Sequence, residues 1–199
     1  MAFAHWGPLF PMAMPINGDF AWVNQGGASV DVTNGGIYLL GPAAGAGYNL
    51  RIRKKAAPAT PYTITAAFLV NQMRTQSVGW GLLFRQSADG KLATLFFQVS
   101  TTPTVTIYSS KFDDPNTLGG APYATIGNLV NFHAPLSFWR IADDGVNRIL
   151  SWSGDGVHFH TLHSIARNDY LTADEVGFFV DAQHATHDIG LQLLSWEEA

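Results

Sequence analysis

Carboxylate side chains are the residues of this chain whose spacing can first be tested against a chemistry. Two adjacent pairs, Asp113–Asp114 and Asp143–Asp144, occur in the 199-residue sequence, and its three Glu residues are Glu175, Glu197 and Glu198. Hydrolysis of a glycosidic bond needs two carboxylates that flank the bond, one as acid and the other as nucleophile or base. Both Asp pairs fall in predicted turns, where Asp is common. The pattern therefore favours a protein that is not an enzyme.

A calcium site is a second chemistry, suggested by Asp113, Asp114 and Asn116. These side chains carry oxygen ligands of the kind that Ca²⁺ prefers. Pro115 stiffens the segment between them. The same Asp-Asp-Pro-Asn composition is also common in turns that hold no metal. We therefore expect no required cofactor, with calcium as a candidate ion.

Carbohydrate binding is a third chemistry, because it needs aromatic faces that stack on sugar rings and planar polar groups that bond to hydroxyls. Alternation along a predicted strand at 78–85 puts Trp80 on one face and Arg85 on the other. A strand at 136–142 separates Trp139 from Arg140 in the same way. We expect both Trp side chains to face the core, which leaves both Arg side chains on the opposite faces.

A glycan-binding surface is one interpretation of these faces. It would be concave, with two glycines of the 78–85 strand as its floor. The competing interpretation is ordinary sandwich packing, in which sheet faces bury aromatics and glycines allow close approach. The predicted glycan-binding residues are Arg85, Gln98, Arg140 and Trp152.

The elements that would position these residues are strands joined by tight turns. Asp89-Gly90, Asp144-Gly145 and Asp155-Gly156 each separate runs of aromatic and β-branched residues, which is a strong hairpin signal. No convincing amphipathic helix occurs, so the sequence predicts an all-β antiparallel sandwich or barrel. The segment 111–131 has no regular alternation, and we expect it to be a long irregular loop.

The N-terminal residues 1–18 form a separate unit of the predicted architecture, ahead of a single β-sandwich domain at 19–199. This arm is apolar but is interrupted by proline, which excludes a helix. It either packs on its own domain or docks on a neighbouring subunit in an assembly. The residues expected to make that assembly contact are Phe3, Trp6 and Phe10.

Composition excludes several classes of protein. The net charge is −4 and only 13% of the residues are charged, so an electrostatic interface with nucleic acid is not expected. Cysteine is absent, which excludes disulfides and thiolate metal sites. We find neither a secretion signal nor an apolar run long enough to insert into a membrane.

One stretch of the chain, 137–160, contains a distinctive succession of motifs. A strand ending in Asp-Asp-Gly145 is followed by Ser151-Trp-Ser-Gly-Asp-Gly156 and Val157-His-Phe-His160. This succession resembles the concanavalin A-like, laminin-G-like jelly-roll family, and the resemblance extends over most of 61–196. It implies an antiparallel jelly-roll β-sandwich of the concanavalin A-like lectin and glucanase type. Glucanases of that family carry two Glu and one Asp spaced by single residues on one strand, and this chain has no such motif.

A shorter segment, Trp22-Val-Asn-Gln-Gly-Gly-Ala-Ser29, is similar to small proteins of tailed bacteriophages and prophages. This resemblance implies a non-catalytic structural or receptor-binding protein of a virion, made in the host cytoplasm. Its expected partners are other virion subunits or further copies of itself in a homo-oligomer, and a cell-surface glycan is a candidate ligand. The alternative is a free-standing carbohydrate-binding module or a polysaccharide-active enzyme of the concanavalin A-like class.

Overall fold

The computed structural model describes residues 12–70, 78–99, 104–130 and 137–199. Within them, a short 3₁₀ helix at Asn17–Asp19 precedes fifteen β-strands. The strands are β1 (Ala21–Val23), β2 (Ser29–Asp31), β3 (Ile37–Gly41), β4 (Arg51–Ala56), β5 (Tyr62–Val70), β6 (Gly79–Arg85), β7 (Leu92–Val99), β8 (Thr104–Asp114), β9 (Thr117–Leu118), β10 (Ala124–Val130), β11 (Ser137–Asp143), β12 (Asn147–Ser153), β13 (His160–Ala166), β14 (Glu175–Asp181) and β15 (Ile189–Glu198).

Two antiparallel sheets pack face to face. The eight-stranded sheet has the order β1-β4-β14-β6-β7-β8-β10, with β9 paired to β8. The seven-stranded sheet has the order β13-β12-β11-β5-β15-β3-β2. The predicted all-β antiparallel sandwich is confirmed. No helix in the described ranges has the length and apolar character needed to cross a membrane.

The Asp-Gly turns connect neighbouring strands as predicted. Gly90, Gly145 and Gly156 have φ values of 83°, 93° and 77°, which a side chain would strain. At the turn between β11 and β12, Asp144 Oδ1 accepts hydrogen bonds from the N–H groups of Val146 and Asn147, at 2.8 and 2.6 Å. The carboxylate thus accepts hydrogen bonds from backbone N–H groups at the turn, which explains why Asp precedes Gly here.

The main core lies between the two sheets and is rich in aromatic rings. The side chains of Trp80 and Trp139 are both buried there, which confirms the predicted orientation. The Trp139 ring stacks on Phe97 with centroids 3.5 Å apart, and its centroid lies 6.2 Å from that of Trp80. The indole N–H of Trp139 donates to Ser137 Oγ at 2.6 Å, so its polar atom is satisfied inside the core.

A second apolar cluster covers the outer face of the eight-stranded sheet. The aromatic rings over that face include Phe96 and Phe179, and they occupy the space above Gly79 and Gly81. A Cβ added at Gly79 would lie 2.4 Å from the Phe96 ring. The turn between β8 and β9 folds back over this face, since the Leu50 N–H donates to Pro115 O at 2.9 Å. The glycine floor predicted for a glycan site is therefore covered by side chains of the same chain.

The prediction of an irregular loop at 111–131 was wrong. Strand β8 continues to Asp114, β9 follows after a tight turn, and β10 begins at Ala124. The alternation is hidden because the register between β10 and β8 shifts between Thr125 and Gly127, where Gly127 has a φ of 142°. Such a bulge inserts an extra residue and breaks the two-residue period of a strand.

The described part of the N-terminal arm contacts its own sandwich. Ala13 exchanges hydrogen bonds with the end of β15: its N–H donates to Ser195 Oγ at 2.9 Å, and its carbonyl accepts from the Trp196 N–H at 2.8 Å. Met12, Met14 and Ile16 nevertheless remain exposed. The predicted assembly residues Phe3, Trp6 and Phe10 lie outside the described residues.

Candidate functional site

The structure does not bring the four predicted glycan-binding residues onto one surface. Arg85 and Gln98 lie on the outer face of the eight-stranded sheet, at opposite ends of the strand pair β6–β7. Arg140 lies on the outer face of the seven-stranded sheet. Trp152 stands opposite Trp139 in the β11–β12 register and packs against the main core. The four residues therefore lie at separate positions on the molecule. Glycan binding by any of them remains a prediction.

Arg85 belongs to a compact group of charges. Its guanidinium is paired with the Glu175 carboxylate, whose other oxygen binds Lys54 Nζ. All three side chains are largely shielded from solvent, with exposed fractions of 15%, 12% and 23%. Because Glu175 is held by two cations, this group fixes strands β4, β14 and β6 relative to one another.

Gln98 leads to a buried carboxylate. Its amide donates to Gln183 Oε1 at 2.9 Å, and the Gln183 amide donates to Asp181 Oδ2 at 2.7 Å. Asp181 is completely buried, and burial raises its pKa to about 7. This carboxylate could not be recognised from its sequence context, since a single Asp at the end of a strand is ordinary.

Arg140 is held flat against the seven-stranded sheet. Its guanidinium carbon lies 3.5 Å from the centroid of the Phe159 ring, and its Nε donates to Thr65 Oγ1 at 2.9 Å. Burial lowers the pKa of Arg140, and the nearby Glu197 carboxylate opposes that effect. These contacts occupy the aromatic face that a sugar would need.

The predicted calcium ligands point to different partners. Asp113 Oδ1 accepts a hydrogen bond from the Tyr170 hydroxyl at 2.6 Å, whereas Asp114 Oδ1 accepts from the Asn116 N–H at 2.7 Å. The two Asp residues are consecutive at the end of β8, so their side chains leave on opposite sides. In the described ranges, no three His, Asp or Glu side chains are grouped as metal ligands would be. The residues present therefore do not fit a calcium ion.

A polar pocket of about 270 Å³ lies at the edge of the seven-stranded sheet. Three of its lining residues form a row across adjacent strands: Asp31 on β2 faces Tyr38 on β3, which faces Gln192 on β15. Neighbours in such a row have Cβ atoms about 5 Å apart, close enough to contact one ligand together. Asn34, from the turn between β2 and β3, completes the lining.

Two polar groups of this pocket, the Asp31 carboxylate and the Gln192 amide, are held in place by hydrogen bonds. The Thr33 N–H donates to Asp31 Oδ1 at 2.8 Å, and this bond lowers the pKa of Asp31, so the carboxylate is charged at neutral pH. The Gln192 amide N–H donates to the Gly35 carbonyl, which leaves its own carbonyl oxygen to accept. The pocket thus offers an ionised acceptor, an amide and a phenol ring within one concavity.

Sequence reasoning missed this pocket. Its row joins residues 31, 38 and 192, so no local spacing brings them together. The one usable signal was alternation: Ile37 and Leu39 face the core, which leaves Tyr38 on the outer face.

No family model and no curated protein matches the chain. Several solved structures do share its fold. A functionally unknown protein from Saccharomyces cerevisiae has a TM-score of 0.67 at 12% identity, covering 93% of this chain and 98% of that one. A legume lectin-like domain from Entamoeba histolytica has a TM-score of 0.57 at 10% identity, covering 91% and 89%. The GH43 protein BlXynB from Bacillus licheniformis, as its K247S mutant, has a TM-score of 0.63 at 11% identity, covering 93% of this chain but 37% of that one.

These matches establish the fold. The chain is an all-β jelly-roll sandwich of the lectin-like, concanavalin A-like type, as the sequence resemblance implied. At such low identity the likeness extends to the fold alone, because one sandwich architecture carries many functions. They give no support to the resemblance to phage proteins.

Proposed function

We propose that this chain is a non-catalytic carbohydrate-binding domain that takes a sugar in the pocket formed by Asp31, Asn34, Tyr38 and Gln192. The observation that carries the proposal is the cross-strand row of an ionised carboxylate, a phenol and an amide in a concavity of about 270 Å³. Sugar hydroxyls donate and accept hydrogen bonds, and these three groups provide both functions together with one aromatic face.

The size of the pocket defines how much of a glycan it would hold. Pockets for drug-sized ligands run from about 300 to 1,000 Å³, so a volume of about 270 Å³ suits a single sugar unit. The pocket lies beside the edge strand β2 rather than in a long groove. We therefore expect recognition of a chain end or a branch, with the rest of the glycan extending into solvent.

The proposed lack of catalysis is supported by the placement of the two carboxylates of β14. Glu175 and Asp181 share the outer face of β14, yet six residues at about 3.3 Å each put them about 20 Å apart. Glycosidase carboxylates are separated by about 5 to 9.5 Å. Glu175 is also held between two cations, and Asp181 is sealed from solvent. These two carboxylates therefore cannot flank one glycosidic bond as acid and base.

The sharpest test of the site is Asp31→Asn. The Asn side chain keeps an oxygen for the Thr33 N–H but loses the negative charge, so the turn should fold while the ligand loses a charge-assisted bond. We expect sugar affinity to fall about tenfold, since hydrogen bonds to charged groups contribute about 1.5 to 3 kcal/mol. A glycan array on the unmodified protein would select the ligand, and calorimetric titration would measure the change.

Asp144→Asn is the matched control for that titration. Asp144 fulfils the same turn-capping role between β11 and β12, outside the pocket, so its substitution should leave sugar affinity unchanged. If no glycan on a broad array binds the unmodified protein, the carbohydrate proposal fails. If a glycan binds equally well to Asp31→Asn, the sugar occupies another surface.

A second proposal concerns assembly, as expected for a virion-associated protein. It is supported by the exposed apolar side chains of Met12 and Ile16, which are 41% and 66% accessible. Exposed apolar residues so close together are typical of surfaces that contact another protein. Placement in a virion rests on the resemblance of segment 22–29 to phage proteins.

Substitution of both exposed residues tests the assembly proposal without disturbing the fold. In the variant Met12→Ser/Ile16→Ser, Met14 keeps its sulfur on the Gly36 N–H, and Ala13 keeps its bonds to β15. We expect light scattering to show a homo-oligomer for the unmodified chain and a smaller species for the variant. A monomer in both cases would contradict a self-assembling arm.

A further inference from the structure

Arg148 is a charged side chain enclosed in the main core. It lies on β12, opposite Asp143 on β11 and Ile165 on β13, and only 1% of its surface is exposed. Its guanidinium carbon is 5.6 Å from the centroid of the Phe84 ring, which belongs to the other sheet. The charge therefore lies between the sheets rather than on a surface.

The guanidinium is only partly satisfied. Its Nη2 donates to the Asp169 carbonyl, and the Tyr123 hydroxyl is a further hydrogen-bonding neighbour. Nε and Nη1 are buried and have no hydrogen-bond partner among the described residues. Unmade hydrogen bonds of a buried charged group are costly, so an occupant that accepts from these two nitrogens would stabilise the fold.

The carboxylate opposite Arg148 in the β11–β12 register does not serve as that acceptor. Asp143 Oδ2 accepts from Arg167 Nε at 2.7 Å, and its Oδ1 accepts from the Gly145 N–H at 3.0 Å. The groups that do touch the Arg148 guanidinium, a backbone carbonyl and a phenol, are neutral. Buried charges in proteins are normally paired, but among the described residues no carboxylate makes an ion pair with this cation.

A small cavity opens between the sheets beside Arg148. Its volume is about 10 Å³, enough for one occupant of about the size of a water molecule. Its walls come from both sheets, and apart from Arg148 they offer two hydroxyl groups and otherwise apolar side chains. The lining residues are Phe84, Ala93, Ser109, Tyr123, Arg148, Leu150 and Ile165.

We propose that this cavity is a binding site for one small inorganic anion of the size of chloride, held by Nε and Nη1 of Arg148. The anion accepts from the two free donors and supplies the missing negative charge, whereas a water molecule supplies only the acceptor. Because the walls belong to both sheets, the bound anion links β12 of one sheet to β6, β7 and β8 of the other.

Thermal unfolding in different sodium salts tests the site. At equal ionic strength and pH, chloride and bromide should raise the Tm relative to gluconate, which is too large to enter. An anion present at about ten times its dissociation constant should raise the Tm of a domain of this size by about 4 °C. A crystal grown in bromide should show an anomalous peak beside Nε and Nη1 of Arg148.

Two variants separate this site from general salt effects. Arg148→Met should abolish the difference between chloride and gluconate, while Arg140→Met, which removes a guanidinium from the outer face, should keep it. If Arg148→Met fails to fold, the proposal is still tested on the unmodified protein by the Tm values in the three salts and by the anomalous map of the bromide crystal. Equal Tm values in the three salts, or a map without bromide at Arg148, would overturn the proposal in favour of a bound water.

Discussion

Trp139→Ala is expected to destabilise the fold by about 4 kcal/mol, as large aromatic truncations in protein cores do. The Trp139 ring is fully buried and stacks on Phe97 of the opposite sheet at 3.5 Å, with Trp80 and Phe68 beside it. Its loss would leave a cavity across the contact between the two sheets, which neither sheet can close without moving. Urea unfolding followed by fluorescence or circular dichroism would give the change in the free energy of unfolding.

Trp22→Ala is the matched control for this prediction. Trp22 is only partly buried on the edge strand β1, where its ring lies 4.8 Å from the Arg53 guanidinium carbon. Its removal leaves a site open to water rather than an empty cavity, so we expect a loss of about 1 kcal/mol. Equal losses at Trp22 and Trp139 would show that the inter-sheet core is not centred on the aromatic stack.

Local features of this fold could be predicted because their causes are local. A tight turn often needs a positive φ, which Gly accepts readily, so each Asp-Gly pair located a connection between neighbouring strands, although these connections are three to six residues long rather than two. The two-residue period of a strand fixed which side chains share a face, and it correctly placed Trp80 and Trp139 in the core.

The outer face of the eight-stranded sheet could not be predicted in the same way. Period-two alternation shows that Phe96 and Phe179 point away from the main core, but not what lies above them. The cover comes from Tyr48, Phe112 and the β8–β9 turn, which are distant along the chain. The face that one interpretation made a glycan-binding surface is in fact a second core.

The candidate site was missed for a related reason. Asp31 and Gln192 are separated by most of the chain, and only the strand order β2-β3-β15 brings them together. The burial of Arg148 could not be predicted for the same reason. In the sequence it is an ordinary polar residue on a strand, and only the packing of the two sheets encloses it. Chemistry that depends on pairing between distant strands leaves no spacing to detect.

Asp181 carries the second large expected effect, a dependence of stability on pH. Its carboxylate accepts from the N–H groups of Asn49 and Gln183 and from the Gln183 side chain, at 3.1, 3.3 and 2.7 Å. Burial nevertheless dominates and raises its pKa from 3.8 to about 7. Between these two values the folded protein keeps a proton that the unfolded chain has released, so a rise in pH favours unfolding.

We therefore expect the free energy of unfolding to fall as the pH rises from about 4 to about 7, by about 4 kcal/mol in all, because each unit of pKa shift corresponds to about 1.4 kcal/mol. Asp181→Asn removes the ionisable group. The stability of the variant relative to the unmodified protein should therefore rise as the pH rises through that window and stay constant above it.

Asp144→Asn is a control in which the pH dependence has the opposite sign. The Asn147 N–H lowers the pKa of Asp144, so that carboxylate stabilises the fold once it is ionised. Urea unfolding of the three proteins at several pH values measures how the free energy of unfolding of each one depends on pH. If the difference between Asp181→Asn and the unmodified protein does not change with pH, the three hydrogen bonds keep Asp181 ionised despite its burial.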